Sequence, residues 1–224
     1  MEIMSALRFS SLIILFPILF GSCGRSELIR IRMLAPVNEA KKDHSILTNT
    51  NESSTPTYTN TSSGASLYFL LKSIGLGFTT VTTKFEKIGT NPTATNLKET
   101  TTLKTNFADV AFGIGENYSF MWGAGILTGG ERKTELDYGN NAPFELSNNY
   151  LGGHSLFFVL GHHGFGFETL LGYRMNFIKS EFDGTKIPDY MGKSPTDTDE
   201  VVSYESPDIR LTTAQVQLGI GFTF

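Results

Sequence analysis

Leu211-Thr212-Thr213-Ala214-Gln215-Val216-Gln217-Leu218-Gly219-Ile220-Gly221-Phe222-Thr223-Phe224 closes the chain, and its side chains alternate in character almost without error. Ala214, Val216, Leu218, Ile220, Phe222 and Phe224 fall on one face; Thr213, Gln215, Gln217, Gly219, Gly221 and Thr223 fall on the other. A β-strand turns successive side chains to opposite sides, so this segment has one apolar wall and one small or polar wall. Such a strand suits hydrocarbon on one side and a packed polar interior on the other.

A chain that ends on such a strand, with phenylalanine in last place, resembles the closing strand of bacterial outer-membrane β-barrels. The resemblance implies an all-β fold, an antiparallel transmembrane up-and-down barrel. It also implies that Leu218, Ile220, Phe222 and Phe224 form a signature read by the barrel assembly machinery. The competing reading is the edge strand of a soluble sandwich.

The other end of the chain points to export. Arg8 precedes the apolar run Ser11-Leu-Ile-Ile-Leu-Phe-Pro-Ile-Leu-Phe20, which Pro17 interrupts and which is too short for a permanent membrane helix. Residues 1–22 therefore read as a signal peptide. Leu19-Phe20-Gly21-Ser22-Cys23 follows, and Cys23 is the only cysteine. This stretch resembles the loose lipoboxes of spirochaete lipoproteins, and the resemblance implies lipidation of Cys23; Phe20 departs from the usual small or aliphatic residue. The competing reading is an ordinary signal cut that leaves an incidental thiol.

One cysteine allows no intrachain disulfide, so the fold must be held otherwise, and a closed hydrogen-bonded barrel would serve. The 224 residues carry 18 basic and 22 acidic side chains, a net charge of -4 with no basic block, which gives nucleic-acid binding no electrostatic footprint. After the leader the length suits one domain: a tether over 23–64 with a possible first strand, then a barrel over 65–224. Transmembrane strands evade scans of mean hydropathy because lumen-facing positions dilute the average, so alternation is the useful measure.

Alternation recurs upstream. From Phe165 to Phe177, Phe165, Phe167, Thr169, Leu171, Tyr173, Met175 and Phe177 oppose Gly166, Glu168, Leu170, Gly172, Arg174 and Asn176. Glu168 and Arg174 stand about 20 Å apart along the strand, too far to pair, and a polar lumen spares both charges an apolar setting. Ser155–Gly161 forms a strand with Leu156, Phe158 and Leu160 on one side, and Gly161-His162-His163-Gly164 is expected to turn. A second hairpin descends through Ala108, Val110, Phe112 and Ile114, turns at Gly115-Glu116-Asn117, and ascends through Tyr118, Phe120, Trp122, Ala124 and Ile126. Asp109, Ala111, Gly113, Ser119, Met121, Gly123 and Gly125 then face inward, and the run of glycine suits a narrow interior. Tyr118, Trp122 and Tyr173 are candidates for aromatic belts or are ordinary strand aromatics.

Ile74–Phe85 is a further strand with Ile74, Leu76 and Phe78 outward; its alternation blurs at Thr79–Thr83, where a bulge or the exit from the bilayer is expected. The long polar stretches Ile88–Lys98, Thr128–Gly153 and Lys179–Tyr204 alternate with the short turns, as outward loops alternate with periplasmic turns in such barrels. That counts six strands, and single-chain barrels begin at about eight, so Leu28–Ala35 and Ala65–Leu71 are the two expected upstream, joined by the polar loop Pro36–Gly64. On the first of these Arg30 and Arg32 alternate with Ile29, Ile31 and Met33. The expectation is that Arg30 and Arg32 pair across the lumen with Asp109 and Glu168 as an internal plug, since guanidinium donates two parallel bonds to a carboxylate. Solvated arginines beside the lipid anchor are the alternative.

Catalysis finds little support. Lipid A deacylases of this size use a His and a Ser two positions apart on one outward face, whereas His154 and Ser155 are adjacent and point to opposite faces. His162 and His163 lack a carboxylate or cysteine for a metal shell, and Gly129-Gly130 and Gly152-Gly153 lack the helix and Lys of a phosphate loop. No cofactor is expected. The expected protein is a non-catalytic barrel of the bacterial outer membrane, in contact with outer-membrane lipid and the assembly machinery. Its polar loops serve envelope structure or contact with a host or extracellular-matrix protein. A lipid A-modifying barrel enzyme and a periplasmic ligand-binding lipoprotein with a soluble β-sandwich are the alternatives.

Overall fold

The computed structural model describes residues 29–39, 57–89, 97–137, 144–148, 150–164, 166–180, 186–188, 201–203 and 209–224. The expected leader 1–22, Cys23, Phe165 and most of the polar loops lie outside the described residues. The elements are β1 (Ile29–Glu39), β2 (Thr57–Leu71), β3 (Ile74–Gly89), β4 (Leu97–Ile114), β5 (Tyr118–Asp137), β6 (Phe144–Asn148), β7 (Leu151–Gly164), β8 (Phe167–Ser180), β9 (Lys186–Pro188), β10 (Val201–Ser203) and β11 (Ile209–Thr223).

Strands β1 to β5 pair each with the next, β5 continues to β6 and β7, β7 pairs β8, β8 pairs β11, and β11 returns to β1, antiparallel throughout. The result is a closed barrel of eight strands, in which β6 and β7 share one place in the ring. Closure is made by the β1–β11 ladder, and at its end the Phe224 amide donates to the Ile29 carbonyl at 2.9 Å and the Ile29 amide to the Phe224 carbonyl at 3.3 Å. A ring has no edge, so its backbone groups are satisfied by neighbours on both sides. Outside the ring, β9 and β10 form a small two-stranded sheet.

The strands are tilted. A row of cross-strand partners followed from Arg32 through Tyr68, Gly77, Asp109, Gly125, Ser155 and Asn176 reaches β11 at Thr213, whereas the direct β11 partner of Arg32 is Gly221. That stagger accompanies barrel closure, and it sets which inward residues stand at one level.

Several expected boundaries move. Ile29–Glu39 is part of the ring, so the barrel begins upstream of residue 65, and β2 runs through Thr57–Gly64. Gly161-His162-His163-Gly164 is not a turn: β7 continues to Gly164, with His162 opposite Thr169 and Gly164 opposite Phe167. The glycine with turn geometry is Gly166, at φ 86°. Gly161 is a glycine for another reason, because a Cβ there would collide with the Ser119 hydroxyl. Gly115 turns at φ 91°, and Lys72 supplies the left-handed residue of the β2–β3 turn at φ 56°. Thr79–Thr83 contains no bulge, since its pairings to β2 and β4 run without a shift. Thr79, Val81 and Thr83 stay inward and buried, and only the outward side changes from apolar to polar. The register shifts lie at Pro36/Asn38 on β1 and at Asn106/Phe107, opposite Gly129 and Leu127.

Candidate functional site

The two faces of the wall have opposite chemistry. Outward, Met33, Leu67, Phe69, Leu76, Phe78, Val110, Ile126, Leu156, Phe158, Leu171, Leu218, Ile220 and Phe222 are all exposed. They belong to all eight staves, so the apolar surface is a band around the ring and not a patch. Inward, seven charged side chains are buried among the described residues: Arg30, Arg32, Glu99, Asp109, Arg132, Glu168 and Arg174. A water-soluble fold reverses this arrangement, because burying a charge is costly and exposing a continuous apolar belt to water is unfavourable.

Four of these charges form two pairs at two levels. Near the short turns, Arg32 donates from Nε to Glu168 Oε2 at 2.8 Å and from Nη2 to Glu168 Oε1 at 2.9 Å. Ser119 links both partners, accepting from Arg32 Nη2 at 2.7 Å and donating to Glu168 Oε1 at 3.1 Å. Gly221 lies directly beside Arg32 on one side and Glu168 on the other, and a Cβ there would stand 2.7 Å from Glu168 Oε2. The glycine makes room for the pair.

Higher in the lumen Arg174 faces Asp109. Nη1 donates to Oδ2 and Nη2 to Oδ1, each at 2.9 Å, the bidentate geometry that best suits guanidinium and carboxylate. The remaining donors are used as well: Nε reaches Asn176 Oδ1 at 3.0 Å, Nη2 also reaches Ser155 Oγ, and Thr79 donates to Asp109 Oδ2 at 2.7 Å. The guanidinium lies 4.6 Å from the Phe107 ring centroid and 5.4 Å from that of Phe157, within cation–π range. Phe157 belongs to a lower apolar cluster with Leu34, Tyr68, Leu70, Ala111, Met121, Val159 and Leu170; Phe107 belongs to an upper one with Phe85, Leu103, Ile178 and Leu211. Arg174 thus joins two apolar layers through one ionic layer.

Of the residues expected in a lumen plug, the structure brings Arg32 to Glu168. Asp109 faces inward as expected but takes Arg174, a partner sequence reasoning missed. Arg30 is buried on the same inner face. Facing could be read from alternation, while the partner depends on strand tilt. The inward position of Arg174, on the same strand face as Glu168, was the available signal.

Leu218, Ile220, Phe222 and Phe224 project outward, with Phe224 71 % exposed. Tyr118 is outward beside its turn and packs its ring 4.9 Å from the His162 ring. Trp122 stands between Phe112 and Phe120, with centroids at 6.2 and 5.4 Å, and Tyr173 lies 5.4 Å from Phe158. His154 lies outward on the Phe177 ring at 5.0 Å, while Ser155 is buried inside on Arg174. The two therefore do not form a base and nucleophile pair.

Above the apolar band the outer wall becomes charged. Glu86 binds Lys84 at 2.7 Å and Lys98 at 3.2 Å; Lys133 binds Glu135 and Glu145, each at 2.9 Å; Lys104 lies 3.4 Å from Glu131. Hydrogen bonding by Lys84, then Lys98, holds the Glu86 carboxyl below its usual range, and bonds from Lys133 to Glu135 and Glu145 push the Lys133 ammonium above its own. The loops expected to carry outside contacts, Pro36–Gly64, Thr128–Gly153 and Lys179–Tyr204, spring from this end. Their described parts are continuations of strands, with the short sheet of β9 and β10.

No family model and no curated protein matches the chain. Among solved structures it is similar to Neisserial surface protein A, at 11% identity and a TM-score of 0.37, over 90% of this chain and 99% of that one. It is also similar to Ail, the attachment invasion locus protein of Yersinia pestis, solved with the heparin analogue sucrose octasulfate (14% identity, TM-score 0.39, 88% and 97% covered). A third is the outer membrane protein OprG of Pseudomonas aeruginosa (8% identity, TM-score 0.41, 90% and 98% covered). The architecture of this chain stands on its own strand order and closure.

Proposed function

We propose that this chain is a non-catalytic β-barrel of the bacterial outer membrane that presents polar loops at the end away from Ile29 and Phe224. One observation carries the reading: an outward apolar band encircles a closed ring whose interior buries paired charges. Hydrocarbon satisfies the band, and ring closure satisfies the backbone, so both faces are at low energy only in a bilayer. The packed lumen supports a scaffold and not a wide pore, as expected for eight strands.

In this reading the exposed residues Leu218, Ile220, Phe222 and Phe224 engage the assembly machinery, Arg32 with Glu168 and Arg174 with Asp109 form the plug, and Cys23 carries lipid that tethers the start of the chain. The loops contact a host or matrix protein or contribute to envelope structure. The experiment is extraction from cells. The protein should leave the membrane only with detergent, migrate faster on gels before boiling, and keep its detergent requirement after Cys23→Ser. Release of a folded Cys23→Ser protein into buffer would refute the barrel's membrane role and favour a soluble lipoprotein.

A further inference from the structure

The wall has a stretch where the ladder between β5 and its neighbour stops. Tyr118–Ile126 pairs with β7 up to His154 opposite Ile126, and pairing resumes on β6 with Asn148 opposite Arg132. Both ladders keep the same register, so 127–130 faces 150–153, yet among the described residues no ladder pairing joins Leu127–Gly130 to Leu151–Gly153. On its other side β5 remains bound to β4 and carries the shift at Asn106/Phe107.

Glycines border this gap on both banks: Gly129 and Gly130, Gly152 and Gly153. A Cβ on Gly129 would meet only Asn106 Nδ2, at 4.0 Å, and one on Gly152 would meet nothing within 4 Å. Leu151 Cδ1 lies 2.8 Å from where a Gly130 Cβ would stand, so the leucine covers the gap from within. Behind it lies the upper apolar cluster of Phe85, Leu103, Phe107, Ile178 and Leu211. The five are buried, while Leu127 and Leu151, packed against them at the gap, are partly exposed. Ser180, opposite Leu151 on β8, is fully buried with a hydroxyl that has no hydrogen-bond partner among the described residues. Directly below the gap, outward Ile126 is 65% exposed and continues the apolar band.

We propose that this gap is a lateral portal that admits one acyl chain of a surrounding lipid into the upper lumen, where it takes the place of Leu151 against Leu127, Phe107 and Ile178. The proposal rests on the membrane reading above. A backbone gap in hydrocarbon leaves polar groups bare, which several kcal/mol per group disfavours. At the upper margin of the band, headgroups and water reach those groups and the gap is tolerated. The ladders above and below hold the two banks in register, so the opening stays narrow and suits an unbranched chain, not a ring system. Continuity of the outer band with the inner cluster gives the chain an apolar path.

The test uses the full barrel in vesicles of phosphatidylcholine with brominated acyl chains, which quench nearby indoles. Trp122→Phe removes the native tryptophan, and Leu127→Trp, Leu151→Trp or the outward control Leu156→Trp is added singly. Leu127→Trp or Leu151→Trp should be quenched comparably to Leu156→Trp. Oxidation of Thr128→Cys with Gly152→Cys across the gap should abolish that inner quenching, and reduction should restore it. Quenched Leu156→Trp beside unquenched inner tryptophans overturns the portal alone, as does inner quenching by aqueous iodide without quenching by lipid. An unquenched Leu156→Trp overturns the membrane reading itself. A second tryptophan position keeps the test open should one variant fail to fold.

Discussion

Arg174 and Asp109 meet inside the barrel through two parallel hydrogen bonds of 2.9 Å, with neither side chain exposed to solvent. They are 65 residues apart in sequence, on β8 and β4. Their contact therefore spans the ring, and it holds only while the ring is closed.

Removal of one partner leaves the other buried and unpaired, which destabilises by about 3–5 kcal/mol. Arg174→Met or Asp109→Leu alone should lower the temperature at which the unboiled gel band converts to the boiled one. The double variant should recover much of the loss, because both charges then vanish together. A double variant as unstable as the sum of the singles would show that the pair is not a unit.

Gly125 stands beside Asp109, and a Cβ there would collide with Asp109 Oδ1 and stand 2.7 Å from Ser155 Oγ. Gly125→Ala should therefore disturb the ionic layer, though less than loss of a partner does, by about 1–3 kcal/mol as for an overpacked site. Equal melting of Gly125→Ala and the parent chain would mean that the layer has slack.

The lower pair makes a parallel case. Arg32→Ala strips Glu168 of both guanidinium bonds, so the conversion temperature should fall, and Arg32→Ala with Arg30→Ala should fall at least as far. Unchanged melting in both variants would remove the plug from the account.

The charged rim should matter far less. Glu86 is partly exposed at the rim, and water and salt screen its pairs, so Lys84→Met should shift stability by about 0–1 kcal/mol. Because the folded carboxyl titrates below its usual range, the small contribution is complete above the unfolded pKa and is lost as pH falls through the folded one. Lys84→Met should move the Glu86 titration upward in a carbon-detected NMR experiment; an unmoved curve would show that Lys84 is not its main partner.

Outward faces were legible wherever a strand crosses the apolar band. Alternation placed Phe222 and Leu156 outside and Asp109, Ser119 and Glu168 inside, as the structure has them. The upper half of β2 escaped notice because Thr57–Gly64 is polar on both faces, and a strand beyond the band has no reason to alternate. Gly161 was misread since glycine serves two purposes, and the room it gives Ser119 looks in sequence like a turn. The Arg174–Asp109 pair was hidden for a geometric reason: period two fixes the face of a residue, whereas its level in the lumen follows from tilt, which emerges only when the ring closes.

The central claim is that the outer face of the ring meets acyl chains. Circular dichroism and sedimentation of the chain from residue 24 onward, with and without detergent, test it most directly. The account predicts monomeric β-structure with a heat-modifiable gel band in detergent, and aggregation or unfolding in plain buffer. A folded, monomeric β-protein in buffer alone would contradict it.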